Sequence, residues 1–124
     1  MYSPIVLEHF HNPRNVGELP PPCGWARREN PACGDVAEIW LQVRQGRVAE
    51  VRFRAFGCPA AVAACSRLTE MAQGLPVEEA AALTPEDLVE ALGGLPANKR
   101  HGAALAVRTL HQALANSASS SCDG

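Results

Sequence analysis

The chain has 124 residues, with 11 lysine and arginine residues against 13 aspartate and glutamate residues. This length suits one compact domain, and we expect residues 1–116 to form it and residues 117–124 to be a disordered tail. The net charge of -2 leaves no excess of positive potential to attract phosphate backbones or anionic lipid. We therefore expect neither nucleic acid nor a membrane as a partner.

Targeting signals and cysteine usage point to a reducing compartment. The N-terminal segment lacks a basic region followed by a long apolar run, and no later segment approaches the roughly 18 apolar residues that cross a bilayer. We therefore expect a cytoplasmic protein. Reducing compartments disfavour stable disulfides, so each of the five cysteines is interpreted as a metal ligand, a thiolate or a buried residue.

The first third of the chain predicts one helix and a long loop. Ser3 followed by Pro4 is typical of a helix start, and Pro13 ends the helix because the residue before a proline avoids the α conformation. We expect a helix over about residues 4–10. Residues 12–34 are rich in proline, glycine and asparagine, so we expect no regular structure there.

Alternating apolar residues then predict an antiparallel hairpin. One strand begins near Val36 and the second covers about residues 51–56, joined through a turn at Gln45 and Gly46. Helices are predicted over residues 59–73, 77–82, 87–92 and 98–116. The last of these has an apolar face formed by Ala103, Val107, Leu110 and Leu114.

Four residues of metal-binding chemistry lie at the predicted element ends: Cys33, Asp35, Cys58 and His101. Thiolate, imidazole and carboxylate donors together suit zinc or iron, and four of them complete a tetrahedral shell. A helix start lowers a thiol pKa and so favours the thiolate that a metal needs. The spacing forms no CxxC pair, so two buried cysteines in a packed domain are the alternative interpretation.

These segments resemble the IscU and NifU N-terminal family of iron-sulfur cluster assembly scaffolds. The resemblance is carried by residues 9–17 (HFHNPRNVG), residues 31–35 (PACGD), residues 56–58 (FGC) and residues 99–101 (KRH). It implies an α+β fold, with a small three-stranded antiparallel sheet packed with several helices. Only two strands are evident from the pattern, so the third has to come from another part of the chain.

The resemblance also implies a function and a site. The family assembles a transient [2Fe-2S] cluster from iron and from the sulfur that a cysteine desulfurase delivers, and then passes it to apo iron-sulfur recipient proteins. Carried over by position, Cys33, Asp35, Cys58 and His101 match its cluster or metal ligands. The function that the resemblance implies is that of a scaffold or carrier, not of an enzyme.

The sequence departs from the family at two places. The family's third cluster cysteine follows the histidine, where this chain has Gly102. The family's chaperone motif LPPVK falls on residues 95–99 (LPANK), of which only the ends match, so chaperone docking is in doubt. The insertion of the zinc-dependent SufU branch is also absent.

These departures leave two alternative functions open. The first is a degenerate paralogue that binds zinc and acts as a regulator or partner of a desulfurase. The second is a thiol enzyme in which Cys58 is the nucleophile and His101 the base.

The remaining candidate residues are given structural roles. Cys65 lies two helical turns, roughly 10 Å, from Cys58, which is too far for one metal shell, so we expect it in the core. Cys23 and Cys122 have no assigned role. Packing or surface roles are expected for His9, His11, His111, Trp25, Trp40, Arg52 and Arg54.

Overall fold

The computed structural model describes residues 2–118, with only the backbone at residue 118. Three antiparallel strands form a sheet in which each strand lies beside the next one along the chain. The α+β class with a three-stranded sheet is confirmed. The elements in chain order are α1 Pro4–His11, β1 Gly24–Asn30, β2 Asp35–Arg44, β3 Arg47–Phe56, α2 Pro59–Ala72, α3 Val77–Ala81, α4 Pro85–Ala91, a 3-10 turn Ala97–Lys99 and α5 His101–Ala118.

The third strand, β1, lies inside the segment that was predicted to be an irregular loop, and that prediction is wrong. Gly24–Asn30 pairs with β2 in a register that sets Gly24 opposite Leu41 and Asn30 opposite Asp35. A Cβ on Gly24 would lie 2.2 Å from the carbonyl oxygen of Ala113. The strand therefore passes directly beneath α5, and this tertiary contact explains a glycine that locally predicts a loop.

The hairpin of β2 and β3 is confirmed and is longer than predicted. Gln45 and Gly46 have φ angles of 53° and 75°, as in a type I′ turn, which matches the twist of the two strands. Ile39, Leu41 and Phe53 point into the core beneath α2 and α5. On the opposite face, Trp40 is nevertheless buried and Trp25 is partly exposed.

The outer edge of β3 is covered by two irregular segments. Residues 15–17 bond to Phe53 through the Asn15 carbonyl and the Gly17 amide, and residues 74–77 pair with the start of the strand. Asn15 has a φ of 59°, and its side-chain amide donates to Thr69 Oγ1 at 3.0 Å. The NPRNVG segment therefore covers the outer edge of β3, holds this strand against α2 and prevents the edge from pairing with a strand of another chain.

The last helix starts later and ends later than predicted. Residues 97–99 form a 3-10 turn, and α5 runs from His101 to Ala118, so residues 117 and 118 are helical and not part of a tail. The predicted apolar face is confirmed, because Ala103, Val107, Leu110 and Leu114 are all buried. The rest of the predicted tail lies outside the described residues.

Candidate metal centre

Five element ends meet at one end of the sheet. There β1 ends, β2 begins at Asp35, β3 ends at Phe56, α2 begins after its N-cap Cys58, and α5 begins at His101. Cys33 lies in the four-residue turn between β1 and β2, where its amide and that of Gly34 both donate to the Asn30 carbonyl. The register of the strands and the packing of α5 on the sheet thus gather residues that are up to 68 positions apart.

Asp35 is the centre of this cluster. Its side chain is fully buried, and its Oδ1 accepts the backbone N–H of Cys58 at 3.0 Å. Its Oδ2 lies 3.1 Å from Nε2 of His101 and 3.7 Å from Sγ of Cys58. Burying a carboxylate is costly unless it is paired, and here the only groups facing Oδ2 in the described hydrogen bonds are a thiol and an imidazole.

Three of the four predicted residues come close enough to share one ion. One ligand atom each from Cys33, Asp35 and His101 lies within 4.8 Å of the other two. Ligand atoms around a tetrahedral zinc lie roughly 3.3 to 3.8 Å apart, given its bond lengths, so a modest contraction would close the shell. Cys58 is outside this group of three, although its sulfur contacts Asp35. The donor types of these three residues suit zinc or iron, and the sulfur of Cys58 would have to move closer to join them.

Gly57 makes the buried position of Asp35 possible. It has a φ of 129°, and a Cβ there would lie 2.1 Å from Asp35 Oδ1 and 2.9 Å from its Cα. Gly34 also has a positive φ, of 71°, but a Cβ on it would meet nothing within 4 Å. The two glycines therefore differ in role, and the Gly34 amide donates to the Asn30 carbonyl.

Gly102 occupies the first turn of α5, next to His101, and is buried against α2. A Cβ on it would lie 3.1 Å from Cα and N of Ala61 and 3.3 Å from C of Ala60. The glycine lets the starts of α2 and α5 approach closely, so it sets the distance between the helix starts that carry Cys58 and His101. The sequence showed only that a ligand was missing here.

The other described cysteines are not among the predicted ligands. Cys65 is buried in the core, as predicted, and burial, together with the negative charge of Asp35, raises the pKa of its thiol to about 12. Cys23 is disulfide-bonded, so the expectation that the cysteines form no disulfide is wrong for this residue. It directly precedes β1, which is seven residues long, so it lies roughly 20 Å from the strand end that carries the cluster. Cys122 lies outside the described residues.

His9 has a structural role that is more specific than predicted. Its ring is buried, with Nδ1 2.7 Å from Ser66 Oγ and Nε2 3.2 Å from Glu70 Oε1. Desolvation by burial lowers its pKa, while the nearby Glu70 carboxylate opposes this. The same Ser66 hydroxyl accepts the backbone N–H of Arg14 at 2.8 Å. His9 and Arg14, both in the segment of the family resemblance, therefore attach α1 and the following loop to α2.

Comparison with known proteins decides the family. A family model described as the NifU-like N-terminal domain matches residues 1–122. The chain belongs to the NifU-like N-terminal domain family. Iron-sulfur cluster assembly scaffold protein IscU 1 of Archaeoglobus fulgidus is 45% identical to this NifU-like chain over 114 residues, which are 92% of this chain and 74% of that protein. IscU of Aquifex aeolicus, with the same description, is 45% identical over 115 residues, 91% of this chain and 73% of its own.

Solved structures agree on the fold. The N-terminal NifU-like protein of Brucella abortus superposes with a TM-score of 0.78 at 16% identity, covering 94% of each chain. A protein of Fervidobacterium islandicum, described as a putative scaffold for the SUF system, gives 0.73 at 16% identity, covering 91% of this chain and 96% of its own. Among residues 2–118, no helix of this NifU-like domain combines the length and apolar character of a membrane span.

Proposed function

We propose that this chain is a scaffold or carrier for iron-sulfur cluster assembly, which binds iron and sulfide through Cys33, Asp35, Cys58 and His101. The observation that carries the proposal is the fully buried Asp35 carboxylate, whose Oδ2 faces both the His101 imidazole and the Cys58 thiol. A cation bound there compensates the buried negative charge. The similarity to proteins named as iron-sulfur cluster assembly scaffolds supports an iron-sulfur cluster as the cargo. The family resemblance of the sequence implies a transient [2Fe-2S] cluster.

Each residue has a distinct part in holding the cargo. Cys33 is exposed at the tip of a turn, so it can meet the sulfur-donating cysteine of a desulfurase and receive sulfur. Asp35 is held rigidly by the Cys58 amide and supplies a hard oxygen donor, which suits iron before sulfide arrives. His101 is about a quarter exposed and can turn between Asp35 and the metal. Recipient proteins then take the cluster, so the function needs no catalytic turnover.

Anaerobic reconstitution tests the proposal. The protein, purified without oxygen, is incubated with ferrous iron, L-cysteine and a cysteine desulfurase, and then analysed for iron, acid-labile sulfide and visible absorbance. We expect a cluster spectrum in the wild type and its loss in Cys33→Ala and Cys58→Ala. The matched control is Cys65→Ala, which removes a thiol from the core and should keep the cluster. If Cys33→Ala and Cys58→Ala retain full metal content, the site is wrong.

The second candidate function is that of a zinc-binding paralogue that acts as a regulator or partner of a desulfurase. Gly102 favours it, because it stands where the family has its third cluster cysteine. With two thiolates, one carboxylate and one imidazole, the four residues are complete as a mononuclear tetrahedral site. A single zinc ion in the protein as isolated, with no sulfide after reconstitution, would support this candidate against the scaffold.

A further inference from the structure

A cavity of about 210 Å³ adjoins the candidate metal centre on the side of His101. One wall is the end of β1, with Arg28 and Asn30, and the other is a face of α5 with His101 and Arg108. His101 belongs to both sites: it lines the cavity, and its Nε2 lies 3.1 Å from Asp35 Oδ2 in the candidate metal centre. The cavity is smaller than the pockets that hold drug-sized ligands, so it suits a molecule of a few heavy atoms.

The charges around this cavity favour a small anion. Arg28 and Arg108 form no ion pair within residues 2–118, whereas most of the other arginines described there do. The acidic residue in the cavity wall, Glu29, is itself paired with Arg27 at 2.8 Å. Two exposed arginines without an ion pair among the described residues therefore line one cavity, Arg28 from β1 and Arg108 from α5. A carboxylate is the planar partner that guanidinium groups prefer.

The centre next to the cavity is short of sulfur donors. Gly102 has no side chain, and the ligand group within 4.8 Å contains one thiol, Cys33. We propose that the cavity binds the carboxylate of a small thiol acid, whose sulfur adds a thiolate, as a fifth donor, to the metal held by Cys33, Asp35, Cys58 and His101. On coordination the S–H bond breaks, its electron pair goes to the metal as a thiolate, and its proton goes to solvent, without an oxidant or reductant. This inference rests on the proposed metal-binding function.

Cobalt(II) is the probe, because thiolate coordination gives it a near-ultraviolet charge-transfer band. The cobalt-loaded protein is titrated with 3-mercaptopropionate, which carries both groups, and with 2-mercaptoethanol, which lacks the carboxylate. We expect the band to increase at a concentration of 3-mercaptopropionate at least about fivefold lower than that of 2-mercaptoethanol, as for one charge-assisted contact at a partly exposed site. Propionate, which lacks the thiol, should compete with 3-mercaptopropionate without increasing the band.

Two variants and one matched control locate the effect. Arg28→Gln and Arg108→Gln should each reduce the preference for 3-mercaptopropionate by about fivefold and leave titration with 2-mercaptoethanol unchanged. Arg44→Gln removes the same charge from the far end of β2, where Arg44 bonds to Gln42, and should behave as the wild type. Equal affinity for the two thiols, or an equal effect of Arg44→Gln, would overturn the inference. So would removal of cobalt into the buffer without an increase of the band.

Failure of the underlying function has a different signature. If the protein binds no cobalt, or if Cys33→Ala and Cys58→Ala bind it as well as the wild type, the metal site itself is wrong and the thiol-acid site falls with it. If cobalt binds through these cysteines but the thiols are not distinguished, only the thiol-acid site is overturned.

Discussion

Replacement of Gly57 by alanine should damage both the fold and the metal centre. The φ of 129° lies outside the region that L-residues reach easily, and a left-handed backbone costs about 1 to 2 kcal/mol for alanine. The added Cβ would lie 2.1 Å from Asp35 Oδ1, and overpacking of a buried site costs about 1 to 3 kcal/mol more. We therefore expect Gly57→Ala to lower the free energy of unfolding by about 2 to 5 kcal/mol.

Gly34→Ala is the matched control, since both glycines have positive φ and adjoin a site cysteine. A Cβ on Gly34 meets nothing within 4 Å, so only the backbone cost of about 1 to 2 kcal/mol is expected. Urea unfolding followed by circular dichroism gives both free energies, and zinc titration gives metal affinity, which should fall more in Gly57→Ala because Asp35 is displaced. If the two variants lose equal stability and affinity, the close approach of Gly57 to Asp35 is refuted.

Two further predictions concern buried groups away from the centre. Burial lowers the pKa of His9 from 6.5. Near pH 6.5 and just below it, His9 is therefore protonated to a greater extent in the unfolded chain than in the folded one. Stability should fall as the pH decreases from about 6.5 towards that lower folded pKa. Urea unfolding between pH 7.5 and 5.5 should show a smaller fall in His9→Gln, and an equal fall would contradict the assignment. Cys65, with a pKa of about 12, should react with iodoacetamide only after unfolding, whereas exposed Cys33 should react in the native protein; peptide mapping distinguishes them, and equal native labelling would show that Cys65 is not buried.

The local sequence pattern was sufficient to predict the elements that place one apolar face against the core. The hairpin followed from alternation and its turn residues, and α5 followed from apolar spacing. β1 was missed because its residues GWARREN do not alternate. Its buried positions include only Gly24 and Ala26, since α5 crosses so closely there that no larger side chain fits at Gly24. The close contacts of Gly24 with α5 come from residues 89 or more positions away, which no local pattern contains.

The candidate metal centre could likewise be predicted only in part from the sequence. The residue types and their resemblance to a known family predicted Cys33, Asp35, Cys58 and His101 as the site, and the structure brings ligand atoms of Cys33, Asp35 and His101 together. The central position of Asp35 could not be predicted, because it depends on the register that places the start of β2 beside the start of α2. The arginines of the adjoining cavity were missed for a related reason: Arg28 and Arg108 are 80 positions apart, and only the packing of β1 on α5 brings them to one cavity.

Gly102 affects both the packing of α5 on α2 and the number of sulfur ligands available to the candidate metal centre. Its backbone is helical without a positive φ, so a side chain meets no backbone strain. However, a Cβ would lie 3.1 Å from Ala61, and α2 or α5 must shift by a few tenths of an ångström. In Gly102→Ala, overpacking of about 1 to 3 kcal/mol opposes a gain in helix propensity of about 1 kcal/mol, so we expect a net loss of about 0 to 2 kcal/mol.

Gly102→Cys carries the same Cβ and adds a thiol, so its comparison with Gly102→Ala isolates the effect of the donor. Because thiolates stabilise iron-sulfur clusters, we expect the reconstituted cluster of Gly102→Cys to persist longer in air than that of Gly102→Ala, measured by the decay of visible absorbance. If both variants fold and the thiol of Gly102→Cys is reactive, equal lifetimes would show that the number of sulfur donors does not limit this site. The chain would then be better described as a zinc-bound partner than as a scaffold weakened by a missing cysteine.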